Sequence, residues 1–294
     1  MLLLCAATVA GAAEINNYAE RVDRLKQVAK HDFKADLPTR EAADNIARAY
    51  LGLFEDLDLA SIKDQPETLK SLYDASDIAA FYTDSAYHAR KMQLYFDLLK
   101  AGGDTDTSRG ANVYRAYLAA EDFTAAADFS AANPALKLPP PPAIDAPQAK
   151  GELQEWIIRA DGKELAAAKF ALPSGPYLLV ASSVRCHFSL ASMRALQDFP
   201  DLDRLNGRSK WLMRMERQID FAGIAQWNKA HTAFQFSIPR NYPAWTVIDR
   251  WDTPTFYFFN NGKLVYQFAG WPKQGNMENI KRGMREAGFY NLPR

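Results

Sequence analysis

The sequence predicts an α/β carboxy-terminal domain preceded by an all-α domain. Three observations lead there. Apolar residues recur at helical spacing from Glu14 to about Ala132. Four consecutive prolines, at positions 139 to 142, then break the pattern. Beyond residue 151, short apolar runs and hairpin turns alternate with helical segments. The resulting division is 14–135 helical, 136–150 Pro-rich linker and 151–294 mixed strand and helix, with 1–13 set apart at the amino end.

Residues Leu2 to Ala13 are apolar and are followed by Glu14. Such a run is too short for a bilayer, which takes ~20 residues. Ending in Ala10, Gly11, Ala12 and Ala13, it reads as a secretory signal, although no basic residues precede it. The alternative is a frayed amino-terminal helix. Export to the periplasm or the exterior is the expectation, and it removes Cys5 with the signal. Cys186 is then the only cysteine left, in a compartment where cysteines are ordinarily paired.

In the helical half, ADNIARAYLGLF puts Ile46, Tyr50 and Phe54 on one face, and HARKMQLYFDLLKAGG stops at Gly102 and Gly103. The stretch from Tyr114 through Tyr117, Phe123, Ala126 and Phe129 to Pro134 resembles one tetratricopeptide unit. RAYL at Arg48 returns at Arg115, near twice that repeat's period, but no copy lies midway. An irregular helical bundle is the alternative. In either case the half reads as scaffold or a surface on which a protein docks. LKLPPPPAIDAPQ reads as a semi-rigid spacer, since proline fixes φ and lacks a donor.

The second half opens with two apolar runs around Asp161-Gly162, a hairpin signal. PYLLVASS is a continuous apolar run suited to a buried central strand. After VRCHFS comes a helix with Leu190, Met193, Leu196 and Phe199 at steps of three, ended by Pro200. KWLMRM suits a strand and DFAGIAQWNKAH a helix. TPTFYFF and KLVYQF flank an Asn261-Gly262 turn. The last helix runs from about Asn276 to Ala287, with Ile280, Met284 and Ala287 inward and Gly288 as its stop.

RCHFS directly after a buried strand, followed in order by DTPTFYFFNNGKLV, resembles the thioredoxin-like superfamily, in particular its exported thiol–disulfide branch with an added amino-terminal hairpin. The resemblance covers about residues 151 to 290. It implies a central mixed sheet flanked by helices and a cis peptide before Pro254. It also implies an active-site position at Cys186, with Thr253 beside it to pair with an extended substrate. Physical chemistry agrees: a thiol at a helix amino end meets unpaired N–H groups and the positive end of the dipole, which favour thiolate. His187 and Ser189 are candidate partners of that sulfur, and Arg185 can add charge.

Where the superfamily carries a second cysteine this chain has Ser189, and where it carries tryptophan this chain has Arg185. Cys186 can therefore attack a disulfide but needs an external thiol for release. The leading expectation is monothiol exchange, of isomerase or reductase type, on exported proteins, peptides or small thiols. Alternatives are a redox-silent protein-binding module and a metal handler using Cys186 with His187 or His231. Against the last, adjacent Cys-His side chains converge poorly on one ion. No metal and no cofactor is expected, since hydrolase, zinc, EF-hand and dinucleotide signatures are all absent from the sequence. Lysine plus arginine balances aspartate plus glutamate at 35 each, so no nucleic-acid partner is expected, and no transmembrane segment. Trp245, Trp251, Phe256 to Phe259 and Trp271 read as core, with Trp251 and Trp271 alternatively rimming a peptide groove. Ser189 reads as a helix N-cap.

Overall fold

A computed structural model describes residues 17–55, 57–145 and 153–292. The expected signal, 1–13, and the end of the expected linker, 146–150, lie outside the described residues. Among the described residues, no helix is long and apolar enough to cross a membrane.

Among the described residues, seven helices come first: α1 (Tyr18–Lys34), α2 (Thr39–Phe54), α3 (Leu59–Ile62), α4 (Pro66–Thr83), α5 (Ala86–Ala101), α6 (Thr107–Ala119) and α7 (Phe123–Ala132). Short polar side chains start most of them. Asn17, Asp58, Ser85, Asp106 and Asp122 each accept a backbone N–H that the helix leaves unpaired. Ile46, Tyr50 and Phe54 are buried along α2, as their spacing requires. The RAYL strings fall on α2 and α6, and Tyr50 and Tyr117 are buried in both.

The proline run is tied down. Tyr114 donates its hydroxyl proton to the carbonyl of Pro139 at 2.6 Å, and Leu136 and Leu138 pack on the helical core. Strand β1 (Ala143–Asp145) follows, with β2 (Gln154–Arg159), β3 (Glu164–Lys169), β4 (Pro176–Ala181), α8 (His187–Gln197) and β5 (Ser209–Leu212). The chain then forms α9 (Phe221–Ala230), β6 (Phe236–Arg240), β7 (Thr255–Asn260), β8 (Lys263–Ala269) and α10 (Met277–Ala287). The eight strands form one mixed sheet in the order β1-β3-β2-β6-β5-β4-β7-β8.

β4 lies between β5, which it pairs in parallel, and β7, which it pairs antiparallel. Every residue of β4 is buried, which explains its unbroken apolar sequence. Leu178 and Val180 pack with Met193 and Leu196 of α8 and Ile280 and Met284 of α10. The alternate residues Leu179 and Ala181 face the opposite side, toward Trp245, Ile248 and Trp251. The rigid anchor that carries Cys186 is therefore clamped on both faces.

The helical half does not stand apart. Trp156, Leu165, Met215 and Ile238 of the sheet half join the same apolar cluster as the helices. Polar ties reinforce the seam: Arg214 pairs with Asp84, Arg217 with Asp77 and Arg250 with Asp36. Glu121 accepts the Trp156 indole N–H at 2.8 Å and the Asn241 backbone N–H at 2.7 Å. The cluster under the helices thus reaches across the seam, while two further clusters lie on the two faces of the sheet around β4.

Candidate functional site

β4 runs out at Ala181, the buried Ser182 and Ser183 follow it, and Val184 and Arg185 make the turn into Cys186. Cys186 is the residue that flanks α8, with extended backbone (φ −88°, ψ 115°). Its N–H donates to the Ser183 carbonyl at 3.2 Å, and its own carbonyl accepts the Leu190 N–H at 3.0 Å. The N-cap position is thus taken by Cys186 and not by Ser189, which the residue type alone had suggested. Ser189 sits three residues inside the helix, fully buried, where its hydroxyl accepts the Ser183 N–H at 3.4 Å. Tertiary position overrides capping preference here, because the strand end needs an acceptor inside the junction.

The sulfur of Cys186 is half-exposed and pairs with no other cysteine. Its S–H donates to the carbonyl oxygen of Thr253 at 3.2 Å. The Thr253–Pro254 peptide bond is cis. Burial on its own pushes the thiol pKa up. Hydrogen bonding from Thr253, from the Ser189 N–H and hydroxyl and from the Phe188 N–H outweighs it, leaving the thiol below the ordinary cysteine value. The Ser189 and Phe188 N–H groups among them are free N–H groups of the first turn of α8, so the helix end adds to the Thr253 side chain in favouring the anion.

The remaining candidates divide. Arg185 aims its guanidinium away from the sulfur: it donates to the Gln218 carbonyl at 2.8 Å and to Gln218 Oε1 at 2.6 Å. His187 is exposed, its ring centroid 3.8 Å from that of Phe188. Thr253 and Pro254 lie directly against Cys186 and also line a cleft of about 1100 Å³ between the two halves. Trp251 and Trp271 are both buried, and Trp251 contributes to the cleft. His231 stacks on Trp227 at the end of α9 with centroids 3.8 Å apart. His88 is buried among Tyr50 and Tyr87, and burial pushes its pKa down to about 4. Among the described residues no group of three or more His, Cys, Asp or Glu side chains is placed to hold a metal ion.

Sequence reasoning missed three neighbours. Gln218 anchors Arg185. Phe188 supplies an N–H to the sulfur and a ring 44% exposed beside it. Ser182 buries a hydroxyl that has no hydrogen-bond partner and lines the cleft. Only Phe188 left a signal, as an aromatic residue in the turn VRCHFS. In comparisons with known proteins, no family model, no curated protein and no solved structure matches the chain.

Proposed function

We propose that the protein is a thioredoxin-like, single-thiol exchange protein that acts on disulfides of exported proteins, peptides or small thiols. The observation that supports this most is the placement of one sulfur at the amino end of α8, 3.2 Å from the Thr253 carbonyl, with a lowered pKa. A merely structural cysteine gains nothing from such a position.

The chemistry balances with one thiol. Ionised Cys186 attacks one sulfur of a substrate disulfide; a Cys186–substrate S–S bond forms, and the other substrate sulfur leaves as thiolate. Ser189 donates a hydrogen bond to the anion but has no sulfur with which to attack the intermediate. An external thiolate, from a small thiol or from a second cysteine of the substrate, then attacks the mixed disulfide and returns Cys186 as thiolate. In the second case the substrate's pairing is changed with no net electron transfer, which is isomerisation. With an external small thiol, the first equivalent leaves on the substrate as a mixed disulfide and a second displaces it, so that the substrate is reduced and the two small thiols depart as their own disulfide.

The test is to mix the reduced protein with a disulfide-bonded protein at neutral pH, quench with acid and separate without reductant. A covalent adduct that is absent in Cys186→Ser and disappears on addition of a small thiol is expected. A Cys186 that neither forms an adduct nor reacts with iodoacetamide until the protein is denatured overturns the proposal and leaves a redox-silent binding module.

A further inference from the structure

We infer that the cleft between the helical half and the sheet binds an extended polypeptide segment, with Phe33 and Phe81 receiving one of its apolar side chains. The inference rests on the proposed exchange activity in one respect: that segment would carry the cystine offered to Cys186.

The cleft is continuous with the thiol site, because Arg185 and Thr253 on its one wall are the neighbours in sequence and in space of Cys186. The opposite wall is helical. Phe33 near the end of α1 is 84% exposed, and Phe81 near the end of α4 is 59% exposed. Both are unusually exposed for aromatic rings, although the Arg217 guanidinium lies 5.6 Å from the centre of the Phe81 ring.

Size, charge and polarity together select the class of ligand. About 1100 Å³ is at the upper end of the range for whole small-molecule sites, so a small disulfide would leave most of the cleft as water. Arginines and carboxylates line it in equal number, and Arg214, Arg217 and Arg250 are already paired with Asp84, Asp77 and Asp36. Arg115 and Arg185 bond only to neutral groups of Asn112 and Gln218, but the lining carries no net charge that would select an ionic ligand over a neutral one. The lining instead offers a buried, unpartnered Ser182 hydroxyl and an unpartnered Arg217 Nε–H. A neutral amide backbone can satisfy both while its side chains reach the two phenylalanines.

The test uses a dye-labelled peptide carrying leucines around an S-methylated cysteine, which can bind but cannot exchange. Fluorescence anisotropy should show equal affinity for the reduced wild-type protein and for Cys186→Ser. Affinity should be weaker by about ten-fold for Phe33→Ser/Phe81→Ser, the loss expected for uncovering one large apolar side chain. Replacing the peptide's leucines by serine should weaken binding to wild type by a similar factor, a readout that leaves the protein intact. No binding to wild type, or affinities within about two-fold across the protein and peptide variants, overturns the inference. An inert Cys186 would overturn the exchange activity but not this result, since the methylated peptide reports on the cleft alone.

Discussion

The sulfur of Cys186 and the carbonyl oxygen of Thr253 stand 3.2 Å apart, close enough for the thiol proton to bridge them. That bond favours the neutral thiol, whereas the Thr253 side chain, the Ser189 and Phe188 N–H groups and the Ser189 hydroxyl favour the thiolate. The balance falls on the thiolate side. Alkylation by iodoacetamide, followed against pH in the folded protein, should therefore have its midpoint below that of the same protein unfolded. Ser189→Ala removes one donor and should move the midpoint up, slowing alkylation near neutral pH by about three-fold. The change is modest because a more basic thiolate is also a better nucleophile. A midpoint unmoved by Ser189→Ala would show that this hydroxyl serves only the Ser183 N–H.

Ser189 lies one helical turn after Cys186 and on the same face, so a sulfur placed there would be within reach of a mixed disulfide. Ser189→Cys should convert an exchange protein that needs added thiol into one that releases its substrate unaided. In that release the introduced thiol attacks Cys186, and the two sulfurs keep the bond while the substrate leaves reduced. The adduct seen with wild type on a non-reducing gel should fall by at least about ten-fold, as expected when attack becomes intramolecular. Persistence of the adduct in this variant would contradict the orientation of the first turn of α8.

Much of this architecture was legible because it rests on local rules. The apolar run of β4 needs burial on both faces, and the Asn261-Gly262 turn supplies the two positive φ values, 49° and 74°, that a tight hairpin takes. Strand β6 was missed because Pro239 argues against a paired strand. It is tolerated because pairing with β5 ends at Ser237, so on that side no ladder bond is lost. Ser189 was misplaced at the cap because its residue type carries a capping preference, whereas the position of the strand end decides which residue enters the helix first. Of the cleft, only the wall around Trp251, Thr253 and Pro254 was anticipated; its helical wall was not. Phe33 and Phe81 sit in ordinary amphipathic helices, and only the approach of the sheet half makes their exposure informative.

The seam between the halves contains a buried ion pair, Arg214 with Asp84, whose side chains are 22% and 8% exposed. The Arg214 guanidinium also lies 4.1 Å from the centre of the Tyr242 ring. Arg214→Met leaves the Asp84 carboxylate without its partner and should cost about 3–5 kcal/mol of unfolding free energy. Asp84→Asn added to that variant removes the stranded charge and should recover most of the loss. The part not recovered reflects the stacking on Tyr242, about 1 kcal/mol. Urea unfolding of the single and double variants gives the comparison. A double variant no more stable than Arg214→Met alone would mean that packing, and not charge, holds this part of the seam.

Glu121 makes the seam sensitive to pH. Burial pushes its pKa from the ordinary carboxylate range up to about 7, although the N–H groups of Trp156 and Asn241 and the charge of Arg240 pull it down. A carboxyl whose folded pKa lies above its unfolded value holds a proton in the native state that the unfolded chain has already lost. Its contribution to stability is therefore largest at low pH and declines as pH rises from about 4.5 through 7. Glu121→Gln fixes the neutral form and should abolish that slope. Between pH 5.5 and pH 8 the wild-type protein should lose about 2 kcal/mol relative to Glu121→Gln, taking 1.36 kcal/mol per pH unit below the folded pKa. Denaturation of both proteins at the two pH values measures the difference directly, and the other titrating groups cancel in the comparison. A relative change of the opposite sign would mean that the two N–H donors stabilise the carboxylate more than burial penalises it.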